Sequence, residues 1–279
     1  MKIMADTALL QSIVKLTRPL FIILSLALCG CIQMHTTVHV RKDGSGTIEE
    51  KMLFSEMLSG IMKEKGEGLP ALPKKDQLRE MSAEFGPDVK VVNVKKVENS
   101  SGSGFIVTYA FDDIEKVRIG NVQKMSKKLT ADSTAVKSDS TVVQKPETWF
   151  TFTMKRGANP ELTINKEAML NSSSRGEVAK KPVSTQEKEQ MLDMISAFLK
   201  GMKLEIDVVV DGRVISSDAS YRADNTITLY AMDFDQLMTH RDILTGKYDG
   251  LSDRDFARRS GKDSGLKFEF KDKVHVIFN

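Results

Sequence analysis

The amino-acid sequence predicts an α+β fold: a mainly antiparallel sheet built from hairpins and covered by helices on one face. Three observations predict it. Segments with strand alternation come in consecutive pairs around turn residues, helical spacings are interspersed among them, and hairpins outnumber candidate parallel crossovers.

The elements follow in chain order. His35 to Lys42 alternates around Val38 and Val40, Asp43-Gly44-Ser45-Gly46 supplies turn residues, and Thr47 to Phe54 alternates through Ile48, Met52 and Phe54, so a hairpin is expected. Ser55 is placed to cap a short helix carrying Met57, Leu58, Ile61 and Met62 on one face, with Gly66 to Pro70 breaking it. A second helix is expected over Lys75–Phe85, where Leu78, Met81 and Phe85 form a stripe and Gly86-Pro87 ends it.

Strands over Val89–Val97 and Phe105–Phe111 flank a Ser/Gly loop and form a second hairpin. Ile114–Leu129 is assigned to a helix and residues 130–141, poor in apolar side chains, to a mobile loop. Strands resume over Thr148–Lys155 and Glu161–Ile164. The Ser/Lys-rich stretch 171–183 fits a surface insertion as well as a domain boundary.

Met191, Leu192, Ile195, Phe198 and Leu199 recur at helical spacing behind Ser184/Thr185, and Gly201 ends the run; this helix should cover a sheet. Leu204 to Val210, the Asp211-Gly212 turn, Val214–Tyr221 and Thr226–Tyr230 are expected to form a three-stranded meander. Asp233 or Asp235 caps a helix through Leu237 and Met238. Leu266, Phe268 and Phe270, then Val274, Val276 and Phe278, supply strand structure at the end.

Composition narrows the function class. Apolar residues make up 41% and charged residues 28% of 279, the balance of a globular body rather than a disordered or polytopic chain. The formal charge is +3, of which Lys2, Lys15 and Arg18 against Asp6 contribute +2 in the first thirty residues, so nothing points to nucleic acid. Both cysteines, Cys29 and Cys31, lie near the N-terminus, leaving the body no thiol for a disulfide or a cysteine-ligated metal. Fifteen methionines against one tryptophan indicate flexible core packing, not a cofactor.

The N-terminal segment carries the most specific signal. Lys15 and Arg18 precede the apolar run Leu20–Leu28, the charge-then-apolar order of a secretory signal. The run is shorter than the about 20 residues a spanning helix needs. It ends at Leu28-Cys29-Gly30-Cys31, which resembles the lipobox of bacterial lipoproteins: a leucine three places before, and a small residue just before, the modified cysteine. Cys29 fits less well, since Leu28 would stand where a small side chain is required.

The resemblance implies cleavage between Gly30 and Cys31, removal of a signal peptide (1–30), and a single lipid-anchored domain (31–279) with a diacylglycerol thioether and an acyl chain on Cys31. Several chains make attachment stable, each buried methylene adding about 0.8 kcal/mol. Ile32 stands where an aspartate would favour inner-membrane retention, which implies the periplasmic face of the outer membrane if the source is Gram-negative. The long region before the apolar run leaves Met1 and Met4 both open as starts. Lys203–Met238 and the Asp-Gly-Ser-Gly hairpin are similar to a group of uncharacterised bacterial lipoproteins, which supplies no catalytic residue to carry over.

Candidate chemistry is sparse. His35 and His39 share a strand face but lie about 13 Å apart along it, too far to share a metal, so a solvated face is expected. His240 and His275 are isolated. Ser45 lacks the strand-to-helix setting of a hydrolase nucleophile, and Asp43-Gly44-Ser45-Gly46 lacks the acidic ligands of a calcium loop. Asp233 and Asp235 are simpler as helix-start residues than as paired acids. Arg254, Arg258, Arg259 and Lys262 are interleaved with Asp253, Asp255 and Asp263, the pattern of a solvated loop.

No catalytic residue, metal ligand or cofactor is therefore expected beyond the lipid on Cys31. The leading expectation is a membrane-tethered, non-enzymatic binding or structural module whose partner is an envelope protein or an apolar ligand. A carrier of lipid-like molecules, and an enzyme whose site assembles from distant residues, are the alternatives.

Overall fold

In the computed structural model, which describes residues 32–55, 72–99, 102–120, 148–168, 184–245, 251, 255, 259 and 264–279, the first alternating run forms β1 (Ile32–Val40) and returns as β2 (Gly46–Phe54). The expected turn closes them: Arg41 N–H donates to the Ser45 carbonyl at 2.8 Å, and Asp43 Oδ1 accepts from Ser45 N at 2.9 Å. Gly44 takes φ +87°, a conformation that suits a residue without a Cβ.

α1 (Lys75–Phe85) leads into β3 (Lys90–Asn99) and β4 (Gly102–Phe111), which pair antiparallel. A single 3-10 turn at Ile114–Lys116 precedes β5 (Arg118–Gly120), β6 (Thr148–Lys155) and β7 (Glu161–Ala168). α2 (Thr185–Leu199) is followed by β8 (Lys203–Val210), β9 (Val214–Ser217), β10 (Arg222–Ala223) and β11 (Thr226–Asp233). Two short helices, α3 (Phe234–Thr239) and α4 (Arg241–Thr245), then β12 (Leu266–Phe268) and β13 (Lys273–Phe278) complete the order.

These strands form two sheets. The larger runs β10-β11-β8-β1-β2-β4-β3, with β12 beside β11; the smaller runs β5-β6-β7-β13-β9. Among the described residues, pairing is antiparallel except between β1 and β8, which are parallel. An α+β chain dominated by antiparallel sheet is thus what the sequence adopts.

The apolar face of the larger sheet meets the smaller sheet rather than a layer of helices. Val38, Ile48, Val107 and Val208 share one buried cluster with Phe152, Leu162, Val276 and Phe278. Each is at most 2% exposed. The alternation is the cause: along β1, Met34, Thr36, Val38 and Val40 turn inward while His35, Thr37 and His39 turn out.

The helices stand at the margins. α1 inserts Phe85 against Tyr109, ring centroids 5.0 Å apart, at one border of the core. Around α3 and α4 a second cluster forms from Phe234, Leu237, Ile243 and Leu266. α2 starts with a capping box, Ser184 Oγ accepting from Glu187 N at 3.2 Å while Glu187 Oε2 accepts from Ser184 N at 2.8 Å. Arg241 ties α4 to it through Glu189 and Asp193, at 3.0 and 2.8 Å.

Two further expectations are corrected. Ile114–Leu129 is not one helix: after the 3-10 turn, Val117 and Ile119 alternate inward as β5 begins, burying with Ile114 in a pattern that helical spacing imitates. The meander over Lys203–Tyr230 is also absent, because Asp211-Gly212 passes the chain from one sheet to the other. β9 pairs with β13, and β11 pairs with β8. The pattern of a tight turn cannot distinguish a hairpin from a sheet-crossing corner.

At that corner Gly212 has φ +124°, and a Cβ there would strike the Asn279 carbonyl oxygen. Arg213 and Asn279 exchange backbone hydrogen bonds at 3.1 and 3.0 Å across the same point. Gly212→Ala is expected to destabilise the protein by about 1–3 kcal/mol, read as a lower urea midpoint at unchanged slope. An unchanged midpoint would show that the corner tolerates a side chain.

Several expected segments lie outside the described residues: the signal peptide with Gly30 and Cys31, the Met57–Met62 helix, 121–129, and the loops at 130–141 and 171–183.

Candidate functional site

The outward face of the larger sheet carries the candidate site. Parallel pairing sets His35 of β1 opposite Glu205 of β8, and Thr37 opposite Asp207. Because alternate residues share a face, the imidazole, both carboxylates and the threonine hydroxyl converge.

His35 Nε2 lies 2.9 Å from Asp207 Oδ2, 3.8 Å from Glu205 Oε2 and 3.2 Å from Thr37 Oγ1. The hydrogen bond to Asp207 raises the imidazole above its ordinary pKa; burial opposes this, Glu205 adds to it, and Lys51, paired with His35 across β2, works against it. Asp207 is 7% exposed, and its Oδ1 has no hydrogen-bond partner. Leaving a buried polar oxygen unsatisfied costs about 1–3 kcal/mol, so the position carries an electrostatic demand its neighbours do not meet.

The three residues offer one ligand atom each, all within 4.8 Å of one another. Chemically, the set can hold a proton between His35 and Asp207 or a cation among all three. The sequence expectation of no metal site at His35 considered only His39 as a partner. β1 meets β8 across 172 positions, a pairing that local alternation does not specify. The available signal was the alternation of Glu205 and Asp207, two carboxylates set on one face of a strand whose other face carries Leu204, Ile206 and Val208.

Comparison with known proteins adds little. No family model and no curated protein matches the chain. The folded domain of Mycobacterium tuberculosis LppM, solved by NMR, is similar at 12% identity and a TM-score of 0.32, covering 73% of this chain and 82% of that one. A likeness of that degree bears on neither fold nor function.

The other sequence candidates do not join the cluster. His39 is exposed and lines a cleft of about 270 Å³ with Arg41, Thr47, Val209, Asp211 and Asn225. His275 Nδ1 contacts Glu161 Oε1 at 3.3 Å and Thr163 Oγ1 at 3.2 Å on the smaller sheet. His240 closes α3, its N–H donating to the Leu237 carbonyl. Asp233 caps α3 through Gln236 N and pairs with Lys203 at 2.7 Å, while Asp235 accepts from Gly201 N at 2.9 Å, so both serve the backbone. Ser45 Oγ donates to Asp43 Oδ1 at 2.7 Å within the turn. Of the basic cluster, Arg259 and Asp255 are helical and the rest lie outside the described residues.

A second titratable pair was missed by sequence reasoning. Glu50, on the inward face of β2, is buried and accepts a 2.8 Å hydrogen bond from the Tyr109 hydroxyl. Burial pushes its pKa up to about 7, against the Tyr109 hydrogen bond and with help from Glu84 of α1. Burial and the adjacent Glu50 also raise the Tyr109 hydroxyl well above its ordinary value. The pair is enclosed by the core rather than open to a ligand.

Among the described residues, no helix is long and apolar enough to cross a membrane.

Proposed function

We propose that the protein is a lipid-anchored cell-envelope lipoprotein whose body is a non-enzymatic binding or structural module. One observation carries this reading: behind Lys15 and Arg18, the apolar run Leu20–Leu28 ends at Leu28-Cys29-Gly30-Cys31, with the leucine and the small residue that a lipidation site requires before Cys31. A lipidated Cys31 would hold the sheet end close to the bilayer. It would set the Arg41–Ser45 turn roughly 30 Å from Ile32 along the strand direction, at about 3.3 Å per residue.

Surface binding is favoured over internal carriage. The inter-sheet space is filled by side chains such as Phe152, Leu162 and Phe278, whereas the cleft beside His39 opens at the turn end of β1. An envelope protein or small ligand would therefore be met at the membrane-distal end. Attachment to the periplasmic face of an outer membrane follows from Ile32 at the sorting position, if the source has that membrane.

Cys31→Ala tests the anchor. The parent protein should sediment with membranes and take up an alkyne fatty acid, and the variant should lose both properties. Label persisting on the variant would overturn the proposal.

A further inference from the structure

We infer that His35, Glu205 and Asp207 form a binding site for a divalent transition-metal ion, zinc by preference, on the outward face of the larger sheet. The site is independent of the lipid anchor and adds a ligand class that anchoring does not require.

Geometry is the first argument. The donors come from two hydrogen-bonded strands, so the backbone fixes their spacing: His35 faces Glu205 directly, and Asp207 follows two residues along on the same side. Zinc holds nitrogen and oxygen ligands at about 2.0–2.2 Å, which sets neighbouring donors in a tetrahedral shell about 3.3 Å apart. His35 Nε2 and Asp207 Oδ2 at 2.9 Å need only open slightly, and Glu205 Oε2 at 3.8 Å needs only close slightly.

Asp207 supplies the second argument. Its buried Oδ1, on the carboxylate that already reaches His35, has no partner. A cation held by this carboxylate would compensate it where no donor does. Two carboxylates and a neutral imidazole also balance a dication, with Lys51 the nearby positive charge opposing it.

Donor chemistry chooses the metal. An imidazole nitrogen with carboxylate oxygens suits zinc and its first-row neighbours, whereas calcium and magnesium favour all-oxygen shells. The side chains of His35 and Glu205 are 38% and 40% exposed, so the remaining coordination position faces solvent and is available to water or a carboxylate-bearing ligand.

The test uses the full chain in detergent, stripped with EDTA and titrated with ZnCl2 by calorimetry. One zinc per chain at micromolar affinity or tighter is expected, with CaCl2 and MgCl2 giving no binding. Asp207→Asn and His35→Gln should each weaken zinc on the order of 100-fold while far-UV circular dichroism stays unchanged. Absence of zinc binding, or binding that survives both substitutions, would overturn the inference. X-ray absorption of the zinc-loaded parent protein provides a readout that needs no variant. A light-atom shell containing one imidazole supports the site, whereas two imidazoles, or a sulfur ligand, would place the ion elsewhere.

Discussion

Replacing Phe152 by alanine is expected to lower the stability of the fold by about 3–5 kcal/mol. The ring lies on β6, is 2% exposed, and belongs to the cluster shared by both sheets. Truncation removes apolar area from the inter-sheet layer and leaves a void. Main-chain pairing of β6 with both β5 and β7 resists the collapse that would fill it. Thr153, the next residue, points to solvent, so Thr153→Ala should change stability by no more than about 0.5 kcal/mol. Urea unfolding of both variants makes the comparison. A loss below about 1.5 kcal/mol for Phe152→Ala would mean that the two sheets do not share a rigid core.

Glu50→Gln is expected to change how stability depends on pH. In the folded protein the Glu50 carboxyl titrates at about 7 against an ordinary 4.5, because burial penalises its charge. Between those values the folded state holds a proton that the unfolded state has released, so stability falls as pH rises. A shift of this size corresponds to about 3 kcal/mol, fully present below pH 4.5 and lost by the time pH has risen past 7. Glutamine keeps an acceptor for the Tyr109 hydroxyl and cannot ionise.

The difference between parent and Glu50→Gln stabilities should therefore move in the variant's favour from pH 5 to pH 8. Using the difference removes the contribution of His35, whose raised pKa acts in the same direction in the parent and in the variant. Tyr109→Phe, which withdraws the donor that favours the ionised carboxyl, should carry the falling limb to higher pH. A parent-minus-variant difference that stays flat with pH would rule out a buried, protonated Glu50.

The sequence made the individual elements legible where local physics decides them. Val38, Val40, Ile48 and Met52 alternate so regularly that β1, β2 and their turn follow directly, and Ser184 with Glu187 marks the start of α2. Partner choice was hidden. Val214 at the Asp211-Gly212 corner alternates equally well toward β8 or β13, and it is β13, through Phe278, that it pairs with, beside the close approach of Asn279 to Gly212. The candidate site fails for the same reason: His35 acquires its carboxylates through a parallel pairing with β8 that no local turn encodes. Glu50 was hidden differently, since its charge argues for the outside while its position in the alternation places it inside.

β1 and β13 both occupy interior places in their sheets, one between β8 and β2, the other between β7 and β9. This arrangement sets a timetable for biosynthesis. At about 5–20 residues per second, the 172 positions separating His35 from Asp207 correspond to roughly 10–35 s of translation. Throughout that interval the β1–β2 hairpin has an open flank, and the smaller sheet waits still longer for residues 273–278. Until β8 is made, β1 presents the unpaired backbone edge that one of the longest-range pairings in the chain will later cover.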